Sequence, residues 1–173
     1  MRIHWRKGRK IAGFAAVLLC AFLAGCGAEA APSYTKQGME AVEALDYEKA
    51  LTLFQTAEEN GEDERLLYRG MGLAYLGKTD YEAAITYLEA ALRLGTGRVE
   101  DLDFDINYYL ATAYYKNGRM EDAVHVYDAI LGLRPEETNA YYLRGCVKLS
   151  EGNFEAAQAD FDTAVSQDPK NYD

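Results

Sequence analysis

The chain has 173 residues, 49% of them apolar, with 18 basic against 28 acidic side chains and a formal net charge of −10. That apolar fraction excludes disorder as the state of the whole chain, and the length suits a single domain. The surplus of acid excludes a sequence-neutral grip on nucleic acid, which needs basic surface. The charge is also uneven. The first ten residues hold Arg2, Arg6, Lys7, Arg9 and Lys10 and no acid, which leaves 13 bases and 28 acids, a net of −15, for the rest.

Residues 1–10 form a positive segment, and residues 11–24 follow as a 14-residue run rich in Ala, Leu, Val and Phe. A membrane-spanning helix needs about 20 such residues, so this run is too short and reads as the core of a secretory signal peptide. It ends in Leu23-Ala24-Gly25-Cys26. The basic start, the short apolar run and this junction together resemble a bacterial lipoprotein signal with its lipobox. The resemblance implies removal of residues 1–25 and lipidation of Cys26 with diacylglycerol, palmitate being the type of acyl chain. Residues 26–32 would then be a short tether. Two or more acyl chains anchor stably where one does not, so the expected location is the extracytoplasmic face of a bacterial cell membrane or outer membrane. Cys20 and Trp5 would leave with the signal. Cys146 would be the sole thiol left, so no internal disulfide is expected.

Beyond the tether the sequence repeats itself. Blocks at 31–64, 65–98, 104–137 and 138–171 align with one insertion, the acidic residues 99–103. A small-residue column reads Gly38, Gly72, Ala111, Gly145, and a second reads Ala50, Ala84, Ala123, Ala157. A third is Ala57, Ala91, Ile130, Ala164. Large columns read Tyr47, Tyr81, Met120, Phe154 and Phe54, Leu88, Tyr127, Phe161. Pro135 and Pro169 close the last two blocks where Glu62 and Thr96 stand in the first two. Within each block two stretches carry apolar residues at spacings of three and four, which predicts two amphipathic helices. The predicted helices are 33–44, 48–59, 66–77, 81–93, 104–117, 120–131, 138–151 and 154–166. Gly118 and Gly152 suit the left-handed ends of first helices. Asp80 and Asn153 suit the caps of second helices. The Ala column permits close crossing, and Tyr47, Tyr81 and Phe154 are expected to fill the wedges between helices. The insertion is expected to be an acidic loop that lets the halves flex.

A 34-residue period with these columns resembles the tetratricopeptide repeat over residues 31–171. The resemblance implies an all-α, right-handed solenoid of four helix pairs. It also implies a concave groove lined by the first helix of each pair. The matching positions are Thr35, Met39, Val42 and Glu43, then Arg69, Leu73, Leu76 and Gly77. In the later blocks they are Tyr108, Thr112, Tyr115 and Lys116, then Tyr142, Cys146, Leu149 and Ser150. Of these, Arg69, Leu73, Tyr108, Thr112, Tyr115, Lys116, Tyr142 and Leu149 are the candidate partner-binding residues, because amphipathic aromatics suit a peptide or protein contact. Relatives that grip a C-terminal carboxylate use a groove cluster of Lys, Arg and Asn. Only Arg69 and Lys116 offer basic charge here, so that property does not carry over.

No enzyme chemistry is expected. His125 is the one His outside the signal, and no Cys or His cluster has metal-ligand spacing. Asp101, Asp103 and Asp105 alternate like calcium ligands, but no Gly-centred loop with a closing Glu follows. Gly70, Gly72 and Gly77 lack the strand and the Lys-Ser/Thr of a nucleotide loop. No cofactor is expected. The expected function is a membrane-tethered scaffold that holds a protein or peptide partner of the cell envelope in its groove. The alternatives are a self-assembling module that stacks through its C-terminal edge and a non-catalytic regulatory subunit of an envelope enzyme. In the last block, Phe161 and Val165 lie among Gln158, Asp160, Asp162 and Gln167. That helix is either its own cap or an open edge.

Overall fold

The computed structural model describes residues 33–168. The signal segment, Cys26, the tether and Pro169 lie outside the described residues. Eight helices follow one another, and no strand occurs among the described residues: α1 (Tyr34–Glu43), α2 (Tyr47–Glu59), α3 (Glu64–Gly77), α4 (Tyr81–Arg93), α5 (Asp101–Lys116), α6 (Met120–Leu133), α7 (Thr138–Ser150) and α8 (Phe154–Gln167). They form four antiparallel pairs stacked into a right-handed α-solenoid. No described helix is long and apolar enough to cross a membrane.

Local chemistry explains where the helices begin. Ser33, Asp46, Asp80 and Asn153 each accept a hydrogen bond from the amide three residues ahead. Each thereby satisfies one orphan donor of the first turn. Asp63 accepts from both Arg65 and Leu66, so α3 begins at Glu64, two residues before the sequence pattern places it.

The turn inside each pair is the same four times. In the first, Asp46 N donates to Ala41 O and Leu45 N to Val42 O, both at 2.9 Å, which is the paired closure that demands a left-handed residue. Leu45 (φ 59°), Thr79 (φ 62°), Gly118 (φ 79°) and Gly152 (φ 78°) occupy that place. A side chain is penalised there and glycine is not. Thr79→Gly and Leu45→Gly are each expected to raise stability by about 0.5–1 kcal/mol, the steric relief exceeding the entropy of the added glycine. Leu45 is 70% exposed, so little packing is lost. Urea midpoints of the two variants check this.

The columns of small residues are buried as expected: Ala50, Ala84 and Ala123 are fully covered, and Ala157 nearly so. Tyr47, Tyr81 and Met120 are half-buried in their wedges. Phe154 is the exception. It is 71% exposed, and among the described residues no helix follows α8 to close its wedge.

The expectation of a flexible acidic loop at 99–103 is corrected. Residues 101–103 are the first turn of α5, which starts three residues earlier than the sequence pattern suggests. Glu100 N donates to Asp103 Oδ2 at 2.8 Å, half of a reciprocal cap. The three alternating acids each meet a different arginine: Asp101 pairs with Arg134, Asp103 with Arg65 and Asp105 with Arg69. Arg65 also holds Glu100 at 2.9 Å. Acids at a helix N-terminus favour the helix dipole, and these also join α5 to α3 and to the residue after α6. The insertion therefore clamps the two halves together. The three acids are committed to arginines, and among the described residues no group of side chains is arranged to hold a metal ion.

Glu62 has a comparable role at the N-terminal edge. It stands in the column that carries Pro135 and accepts from Tyr34 N (2.7 Å), Thr35 N (3.0 Å) and Ser33 Oγ (2.8 Å). It thereby caps α1 from the turn after α2. The Thr35 amide, followed by the smaller opposing effect of desolvation and the other donors, lowers its carboxyl to about 2. A depressed carboxyl contributes stability above its unfolded range, and that contribution is lost as pH falls toward 2. The hydrogen-exchange protection factors of α1, corrected for the intrinsic exchange rate at each pH, should therefore fall between about pH 4.5 and 2 in the native chain. In Glu62→Gln the protection factors should be lower at pH 7 and nearly flat across that window.

Candidate functional site

The first helices form the inner side of the solenoid. α1 touches α3 and α3 touches α5, whereas successive second helices have no contact of that extent. The candidate residues on this side divide into two groups. Toward the N-terminal half they are already engaged. Arg69 pairs with Asp105, lies 5.7 Å from the Tyr109 ring centre and reaches Met39 Sδ at 3.8 Å. Its charge is paired within the fold, which leaves it little to offer a ligand as a groove base. Leu73 is only 9% exposed. It packs as core and offers a ligand little surface. Thr112 donates its hydroxyl to Tyr108 O, one turn back.

Toward the C-terminal half the surface is open. Tyr142 and Leu149 are exposed, and Tyr108 and Tyr115 are half-buried. Tyr115 Oη lies 2.8 Å from Ser150 Oγ, which ties α5 to α7 and fixes the ring. Lys116 is exposed, with its ammonium 5.5 Å from the Tyr115 ring centre. Tyr108 donates to Glu137 at 3.3 Å; burial first, and then that carboxylate, push its phenol well above the ordinary range. It stays neutral at physiological pH and can act only as an amphipathic contact. Tyr142 tilts against Phe161, ring centres 5.7 Å apart. The rings are thus held in place before any ligand arrives, so less ordering entropy opposes binding.

Two features went unread in the sequence. Asp105 and Tyr109 decide the fate of Arg69; the alternation of Asp101, Asp103 and Asp105 was the available signal, since acids two positions apart on a helix point in different directions and can face separate cations. The second is a hollow of about 370 Å³ between the 94–100 segment, α5 and α6, whose lining includes Leu92, Val99, Phe104, Ile130 and Leu133. Val99 and Asp103 of the insertion form part of its wall. Of the other residues weighed, His125 is exposed on α6 and Cys146 is a half-buried free thiol on α7.

Comparison with known proteins agrees with this architecture. The photosystem I assembly protein Ycf3 of Prochlorococcus marinus (strain NATL2A) is 30% identical over 114 residues, 62% of this chain and 65% of that protein. Superkiller protein 3 of Saccharomyces cerevisiae is 30% identical over 87 residues, 50% of this chain and 6% of that protein. The chain thus spans less than two thirds of the length of either relative. Among solved structures, YrrB, described as a TPR protein with an unusual peptide-binding site, superposes with a TM-score of 0.68 at 21% identity, covering 79% of this chain and 68% of that one. MamA from Desulfovibrio magneticus RS-1 superposes with a TM-score of 0.67 at 22% identity, covering 79% and 74%. Models of the tetratricopeptide repeat match residues 35–97, 69–138 and 138–171. With that repeat matched from α1 to α8, the chain belongs to the tetratricopeptide repeat family.

Proposed function

We propose that this chain is a non-catalytic scaffold that holds a protein or peptide partner on the α5–α7 part of its inner surface while lipidated Cys26 tethers it to a bacterial envelope membrane. Proteins of this family mediate protein–protein interactions, and the finer reading rests on one observation. Tyr142 and Leu149 are 42% and 46% exposed beside the half-buried Tyr108 and Tyr115. Fixed aromatics beside an exposed aliphatic are the composition of a binding hot spot. With Arg69 neutralised, Lys116 is the one exposed base among the candidate residues. The overall acidity favours a neutral or basic partner. The tether is supported by the Leu23–Cys26 junction that follows the short apolar run. An assembly protein and a peptide-binding repeat protein among the similar proteins are uses of the same kind.

The test is photocrosslinking in the native cells. The full chain carries a photoreactive residue in place of Leu149 or, as a control on a second helix, His125. One envelope protein should be captured from position 149, not from 125, and its recovery should fall in Cys26→Ser. Equal capture from both positions would refute the surface, and undiminished capture in Cys26→Ser would refute the tether.

A further inference from the structure

The face of each second helix that meets the next pair is defined by contact. On α2, Tyr47 seats its ring where a Cβ on Gly77 would stand, Phe54 does the same at Gly70, and the Glu58 carboxylate accepts from Tyr68. Tyr47, Leu51, Phe54 and Glu58 are thus one stripe covered by α3. The same stripe on α6 is Met120, Val124, Tyr127 and Leu131, all buried or half-buried. On α8 it is Phe154, Gln158, Phe161 and Val165. Phe154 is 71% and Val165 46% exposed, and Phe161 is half-buried. A helix adapted to end an array would be polar along this stripe, and here only Gln158 is.

The stripe on α8 matches that on α2 most closely, with a large aromatic in place of Tyr47 and phenylalanine again in place of Phe54. What covers α2 is a helix with glycines at 70 and 77, seven positions and two turns apart, one to receive each ring. The chemistry around the open stripe is acidic. Glu151, Glu155, Asp162 and Asp168 are exposed there, α8 contains no base, and Lys148 on α7 is bound to Asp160 at 2.9 Å. A second copy of this chain is disfavoured by its own opposing face. The positions that correspond to Leu67, Met71 and Ala74 of α3 are Ser33, the residue capping α1, and Gln37 and Glu40 within it, so this end presents polar groups where a covering helix presents apolar ones.

We infer that the α8 edge is a second docking surface, separate from the inner one, for an amphipathic helix of another protein. That helix presents small residues seven positions apart to Phe161 and Phe154 and carries net positive charge. The apolar stripe supplies the affinity and the acidic rim selects the sign of the partner.

The probe is a fluorescent peptide with the sequence of residues 64–78 flanked by lysines, titrated by anisotropy against the full chain in detergent. In the intact chain α3 already covers α2, so the open stripe is the one on α8. Binding is expected, and Phe154→Ser and Val165→Asp should each weaken it at least tenfold with unchanged far-UV circular dichroism. A peptide with leucine at both glycine positions, or with glutamate flanks, should bind at least tenfold more weakly. Absence of binding, equal binding by Phe154→Ser, or equal binding of the glutamate-flanked peptide would overturn the inference. So would a molecular mass that doubles with concentration and reverts in Phe154→Ser, since a second copy would then be the occupant. Binding that emerges only when residues 169–173 are deleted would overturn it in favour of the chain's own tail.

Discussion

Phe54→Ala should lower stability by about 3–5 kcal/mol, the upper range for an aromatic removed from a core. Phe54 is fully buried on α2, and three helices converge on its ring. A Cβ built on Gly38 would lie 2.5 Å from its Cε1, and one on Gly70 would lie 2.4 Å from its Cζ. The ring thus touches the bare backbones of α1 and α3 together. Removing it opens a cavity whose walls are helix backbones, and those cannot close inward without breaking their own spacing. The converse follows from the same distances. Gly70→Ala forces the ring out of its place, for a loss of about 1–3 kcal/mol. Phe54→Leu should recover part of that loss when added to Gly70→Ala, because the smaller side chain yields the space. The chain already contains that exchange: where Gly70 faces Phe54 between the first pairs, Tyr109 stands in the Gly70 column beside a pair whose central residue is Leu88. Urea unfolding measures the total loss. Because stacked repeats can open locally, hydrogen exchange should place the loss first in α1–α3.

Much of this architecture is legible in the sequence because each repeat solves the same packing problem. The invariant Ala column and the alternation of glycine with a large ring mark helix crossings wherever they recur, so the pairs can be read without a structure. The start of α5 cannot be read that way. Its first turn lies in an insertion outside the repeat, and its helical state depends on Arg65, Arg69 and Arg134, which are far away in sequence. The candidate surface was legible only in part for the same reason. A register argument places Arg69 and Leu73 on the inner side correctly as helix positions, but it cannot see that Asp105 neutralises one and that neighbouring helices bury the other. Tyr142 and Leu149 are open because they lie in the last pair of the described stack, where fewer described neighbours cover them.

The end of the stack also substitutes charge for apolar contact. In the fourth pair, Asp160 on α8 is 5% exposed and accepts from Arg144 Nε and Lys148 Nζ, each at 2.9 Å, and Arg144 also reaches Asp128. The corresponding residues of the third pair are Val126, Leu110 and Tyr114, and those of the second include the stacked rings Tyr75 and Tyr87, 5.3 Å apart. Burial pushes the Asp160 carboxyl upward. The hydrogen bonds and charges of Arg144 and Lys148 outweigh it and hold the group below its ordinary value. Breaking such a cluster on one side leaves two cations without their shared partner, so Asp160→Ala should cost about 3 kcal/mol. Replacing the whole cluster is a different experiment. The variant Arg144→Leu, Lys148→Tyr and Asp160→Val copies the third pair. Tyr114 there donates to Glu89 of the preceding pair at 2.7 Å, and Asp128 occupies the matching place for the new tyrosine. Desolvation no longer opposes folding, so the triple variant should lie within about 1 kcal/mol of the native chain or above it. The pH dependence separates the two states independently. A depressed carboxylate contributes stability above its unfolded range and loses it as pH falls through the folded value. The native chain should therefore lose stability with acid more steeply than the triple variant, measured as urea midpoints from pH 6 downward. A triple variant as unstable as Asp160→Ala would mean that the cluster stabilises the last pair beyond what apolar packing can replace.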